Sequence, residues 1–127
     1  MRTLGASILH ISPGAVDIAL PASPSISQQH GFVHAGAVAA IADTAAGYAA
    51  LTLMAPRVGA LTTEFKINLL APATGDRVLA RGRVVKAGRI LTVAQTEVVA
   101  EAAGEEKLVA LLTATLMAIE DRDGISD

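Results

Sequence analysis

Cysteine is absent from this 127-residue chain, which excludes disulfides, thiolate nucleophiles and cysteine-ligated metals. Aromatic residues make up only 2% although 52% of the chain is hydrophobic, so Ala, Val, Leu and Ile must build the core. Charge is balanced as well: 10 Lys and Arg against 12 Asp and Glu give a formal net charge of −2, with no basic footprint for nucleic acid. The first residues lack the basic start and apolar run of a signal peptide. No stretch is convincing as a membrane span, because the Ala-rich segment carries Asp43 and stops at Pro56. These absences predict a cytoplasmic protein with neither nucleic acid nor membrane as partner. The length fits one domain over residues 1–127.

What is present falls into an ordered pattern. Two short apolar runs, ILHI and VDIAL, flank Ser12-Pro13-Gly14 and read as a hairpin. PASPSISQQHG, broken by prolines, reads as loop. From Gly36 to Met54 the chain is rich in alanine, the best helix former, and too long for a strand. Apolar residues surround nearly the whole circumference of that helix, so it belongs inside something. Beyond Pro56, TTEFKINLLAP alternates, with Thr63, Phe65, Ile67 and Leu69 on one face and Thr62, Glu64, Lys66 and Asn68 on the other. Turns follow at residues 73–76, at the Lys86-Ala87-Gly88-Arg89 hairpin, and across EAAGEEK. LVALLTATLMAI is a last strand, apolar enough on both faces to be covered on both. The sum is an α+β fold in which a curved antiparallel sheet wraps one long central helix. Its sheet edges make dimerisation by sheet extension plausible.

Asp43 is the anomaly, since no other charged side chain occurs between Gly31 and Pro56. A carboxylate enters apolar surroundings when it is paired or useful. Gly36 lies seven residues before it and Gly47 four after, so all three lie near one helix face, open to a ligand or a neighbouring backbone. The bland reading is a carboxylate at a subunit boundary, hydrogen-bonded to backbone or Thr44. GFVHAG leads into the first turn, where the amides of Ala35 to Ala37 could donate to an oxyanion, and His34 could fix the turn or touch a ligand. His30, His34 and Asp43 make an incomplete ligand set without an HExxH pattern, so no metal is expected. No GxSxG elbow supports a serine triad, and no glycine-rich phosphate loop is present.

The run HGFVHAGAVAAIADTAAGYAA, followed by TTEFKINLLAPATGD, resembles the hotdog-fold acyl-CoA thioesterases of the phenylacetate-degradation (PaaI-like) group over nearly the entire chain. Their helix start is usually His-Gly-Gly with an acid nine residues after the His; here stand His34-Ala35-Gly36 and then Asp43. Asn68-Leu69-Leu70-Ala71-Pro72-Ala73 matches a later element of the group. The resemblance implies hydrolysis of an acyl-CoA with Asp43 as general base or nucleophile, the Ala35 amide in the oxyanion hole, and His34 orienting that turn. It further implies that Gln28, where relatives often carry Asn, positions the carbonyl or the water, and that Thr62 lines the site from its strand. It implies no cofactor, and a homodimer, doubled to a homotetramer, whose site is shared between subunits. Ala35 replaces the usual glycine; it keeps the N–H and is strained only if the position needs a positive φ.

Gly36, Gly47, Tyr48 and Phe65 are candidates for contact with a medium-chain or aromatic acyl group, although Tyr48 and Phe65 are of types that more often serve as plain core. Arg81 and Arg83 share a strand face, and Arg89 lies at the following hairpin; they could meet the phosphates of CoA or form a solvated outer face. Two other functions remain open on the same fold. One is a non-catalytic acyl-CoA binding domain, and the other an enoyl-CoA hydratase, which needs its own acid–base pair.

Overall fold

The computed structural model describes residues 4–23 and 32–120. Strands β1 (Ser7–Ser12) and β2 (Ala15–Pro21) form the hairpin around Pro13-Gly14. Helix α1 (Ala35–Leu51) follows, then β3 (Val58–Leu69), β4 (Arg77–Ala87), β5 (Leu91–Ala102) and β6 (Glu105–Glu120). The strands make one antiparallel sheet in the order β1-β2-β4-β5-β6-β3. It curves around α1, the hotdog arrangement expected from the sequence. The EAAGEEK segment is mostly strand rather than turn: β5 runs to Ala102, and Ala103 and Gly104, both at positive φ, make the reversal.

The small side chains of α1 decide how closely the sheet can wrap. Ala42, Ala45, Ala46, Ala49 and Ala50 are fully buried, together with Ile41, against Val16, Ile18 and Leu20 of β2 and Leu112 and Leu116 of β6. Gly82 of β4 gives the tightest approach: a Cβ there would collide with the Ala45 carbonyl. Next to it in register, the fully buried Thr96 of β5 donates its hydroxyl to the Ala42 carbonyl oxygen at 2.8 Å. The helix backbone beside Asp43 is thus seated directly on β4 and β5. Because the obstacle to a side chain at Gly82 is backbone, Gly82→Ala is expected to cost about 3 kcal/mol and to lower the melting temperature by roughly 10 °C, read by thermal denaturation.

Two expectations need correction. The helix is apolar all round, yet the described chain covers only part of it. Ala35, Gly36 and Ala40 are exposed, and Ala39, Asp43, Thr44 and Gly47 are half-buried, because a single sheet layer reaches only one side. Strand β6 is likewise covered only on the helix side, where Leu112, Ala114 and Leu116 are buried, while Leu111, Thr113, Thr115 and Met117 on its other face stay partly exposed.

Candidate active site

Helix α1 begins where it does because His34 caps it. His34 is extended, at φ −60° and ψ 137°, and its Nδ1 accepts the Gly36 N–H at 2.9 Å. That bond requires an unprotonated Nδ1, so the neutral ring carries its proton on Nε2. Gly36 leaves room for the ring, since a Cβ there would stand 3.0 Å from Nδ1. The Ala37 amide turns back to the His34 carbonyl oxygen at 2.9 Å. Of the three first-turn amides singled out in the sequence, only that of Ala35 has no acceptor among the described residues. Among the described residues the non-glycine positions at positive φ are Arg57 and Ala103, so Ala35 is unstrained and its replacement of glycine costs nothing in backbone conformation.

Ala35 borders a cavity of about 390 Å³. Its walls are Phe32, Val33 and Val38 from the start of the helix region, Leu69 at the end of β3, Leu70 and Pro72 just beyond it, and Val109 of β6. All of these are apolar. The Leu69-Leu70-Ala71-Pro72-Ala73 stretch was read from sequence only as a motif match; in space it is one wall of this cavity.

Asp43 lies two turns further along, half-buried. The Thr62 hydroxyl donates to its Oδ1 at 2.8 Å. Thr44 is not its partner, since the Thr44 hydroxyl goes to the Ala40 carbonyl oxygen at 2.7 Å. Thr62 reaches Asp43 because the strand faces differ from the simple alternation read in the sequence. A register shift between Thr62 and Glu64 sets Thr62 opposite Leu116 and Phe65 opposite Ala114, both inward-facing partners. Thr62 therefore shares the helix-side face with Phe65, Ile67 and Leu69 instead of the outer face with Glu64. The Ala35 amide and Asp43 do not converge within one chain, because eight residues of helix separate them by about 12 Å.

The other candidates are spread more widely. Phe65 continues the Thr62 face of β3 and is 46% exposed. Gly47 faces Leu116, where a Cβ would make an ordinary contact at 3.6 Å. Tyr48 lines a second cavity with Ile8, Ile11, Val16, Leu51 and Thr52, a set that does not include Asp43. Because Gly82 faces the helix, Arg81 and Arg83 project from the opposite, convex face. There Arg83 meets Asp17 at 2.6 Å and Arg81 meets Glu106 at 3.0 Å. The hydrogen bonds from Arg81 hold the Glu106 carboxyl below its ordinary range, and Glu106 in turn raises Arg81. Arg89 is exposed in the β4–β5 turn. Gln28 lies outside the described residues. Sequence reasoning missed Gly82 and Thr96, although a glycine inside a strand is itself a sign of close backbone approach.

The profile of the Thioesterase superfamily matches residues 30–107. A thioesterase family protein from Silicibacter pomeroyi is 49% identical and superposes with a TM-score of 0.92, over 94% of this chain and 88% of that one. A variant of the phenylacetic acid degradation protein PaaI from Thermus thermophilus is 30% identical at a TM-score of 0.79, over 92% of this chain and 96% of that one. The PaaI protein of the E. coli phenylacetic acid degradation operon shares the fold at 23% identity and a TM-score of 0.84, over 94% of this chain and 83% of that one.

Proposed function

The chain belongs to the thioesterase superfamily, whose members act on acyl thioesters, and from that premise we propose that it hydrolyses acyl-CoA thioesters to the free acid and CoA. The observation that carries this reading is the equipment of one helix: an Ala35 amide with no acceptor among the described residues, beside an apolar cavity, and an Asp43 carboxylate held by Thr62. As general base, Asp43 takes a proton from water as the water oxygen attacks the thioester carbon. As nucleophile, it attacks that carbon itself and water cleaves the resulting anhydride. Either way the carbonyl oxygen becomes an oxyanion against the Ala35 N–H at the positive end of the helix. The tetrahedral intermediate then collapses, the C–S bond breaks, and the CoA thiolate leaves and is protonated.

The separation of Ala35 from Asp43 supports a site completed by a second copy. Strand β3 is a sheet edge that exposes Leu61, Phe65 and Leu69, followed by the exposed Leu70, and it runs beside the uncovered stripe of α1. A homodimer that extends the sheet through β3 buries both and brings each Asp43 toward its neighbour's helix start; a dimer of dimers is the further assembly. One hotdog domain over residues 1–127 carries all of this.

The apolar side chains that line the cavity favour a medium-chain or aromatic acyl group, because an apolar pocket selects by burial and penalises an unpaired charge. A panel of CoA esters followed by free-thiol release tests activity and substrate class together. kcat/KM for hexanoyl- and phenylacetyl-CoA is expected to exceed that for succinyl-CoA by more than about tenfold. Discrimination among neutral chains should be looser, about 1–3 kcal/mol per methylene. No thiol release from folded protein refutes hydrolysis, and a preference for succinyl-CoA refutes the apolar pocket.

A further inference from the structure

Strand β3 reaches Asp43 only through an irregularity. Thr62 is paired with Leu116 and Glu64 with Thr115, so Thr63 is an extra residue, a β-bulge against two consecutive residues of β6. Beyond it Phe65, Ile67 and Leu69 oppose Ala114, Leu112 and Ala110, which fixes their inward direction. Continued without a bulge, that alternation would turn Thr63 inward and Thr62 outward. The bulge exchanges them and lets the Thr62 hydroxyl meet Asp43.

Two side-chain bonds tie the bulge to β6 where the ladder is interrupted. The Thr63 hydroxyl donates to the Thr115 carbonyl oxygen at 3.1 Å, and the Thr115 hydroxyl donates to Glu64 Oε1 at 3.3 Å. We propose that Thr63, with Thr115 and Glu64, forms a clamp that aims Thr62 at Asp43, which makes Thr63 a positioning residue for the hydrolysis proposed above. Thr63 acts through Thr62. The competing explanation is a bulge that merely twists an edge strand away from unwanted pairing, and it predicts no link between Thr63 and catalysis.

The test compares Thr63→Val, Thr63→Ser, Thr62→Val and the double variant Thr62→Val/Thr63→Val. Folding is checked by circular dichroism, and Thr63→Ala replaces Thr63→Val if valine disturbs the fold. Thr63→Val is expected to lower kcat about tenfold, with KM changed less than about twofold because the acyl pocket is untouched. Serine should restore most of the rate. The double variant should be no slower than Thr62→Val, since a clamp has nothing left to aim. Crystal structures should show the Thr62–Asp43 bond lost in Thr63→Val and kept in Thr63→Ser. An intact bond with unchanged kcat in Thr63→Val overturns the clamp, as do effects that multiply in the double variant. If the unaltered protein hydrolyses no thioester, the proposed function fails, and the crystal structures still decide whether Thr63 aims Thr62.

Discussion

Asp43→Asn is expected to lower kcat by about three orders of magnitude, within the range that a positioned base or nucleophile contributes. The substitution is nearly isosteric, and the Asn amide oxygen can still accept the Thr62 hydroxyl that now goes to Oδ1. The fold and the strand position are therefore preserved while basicity and nucleophilicity are removed. KM should change little, because on the proposed reading the acyl group lies against the cavity walls and the carbonyl against the helix start, neither of which includes position 43. Asp43→Glu keeps the carboxylate but moves it by one methylene, and a displacement on the order of 1 Å can itself cost about a hundredfold. Thiol release by both variants, with melting temperatures alongside, is the measurement. Full activity in Asp43→Asn would remove Asp43 from the mechanism. Loss of an enoyl-CoA absorbance without thiol release from the unaltered protein would move the reaction to hydration.

The fold was legible because its signals are local. The alanine run between Gly36 and Pro56 specified the helix, Pro13-Gly14 the first hairpin, and Gly88 the β4–β5 turn. The lone carboxylate was legible too, since an unaccompanied acid in an apolar helix requires an explanation. The bulge at Thr63 was not. It only exchanges which of Thr62 and Thr63 faces the helix, so the alternation holds for Phe65, Ile67 and Leu69 and fails for the two threonines before the bulge. The carboxylate partners of Arg81 and Arg83 were equally hidden: Glu106 and Asp17 are distant in sequence and meet the arginines only through strand pairing. The uncovered stripe of α1 has the same origin. Composition states that a helix is apolar but not how much of it one sheet layer can reach.

Ala35→Pro is expected to lower kcat by a factor of about 10² to 10³, the effect of losing one oxyanion donor, with little loss of stability. Ala35 is the first residue of α1, the position where proline is tolerated best, because that N–H bonds to nothing in the helix. His34, at φ −60° and ψ 137°, already has the extended conformation that a following proline demands. The substitution therefore removes the single hydrogen-bond donor and leaves the His34 cap on Gly36 in place. Combined with Asp43→Asn it also tests the shared site. A carbonyl at the Ala35 amide lies about 12 Å along the helix from the same chain's Asp43, beyond the reach of a carboxylate. In a mixed dimer of one Asp43→Asn chain and one Ala35→Pro chain, one of the two composite sites joins an intact Asp43 to an intact Ala35 amide. Random mixing in equal amounts should then restore about a quarter of the unaltered rate, as two-fold symmetry requires. Analytical ultracentrifugation and a tag on each chain establish that mixed dimers have formed. If they have, and the mixture stays as inactive as either parent, the acid and the oxyanion donor do not meet across the subunit boundary. A fully active monomer would refute the shared site directly.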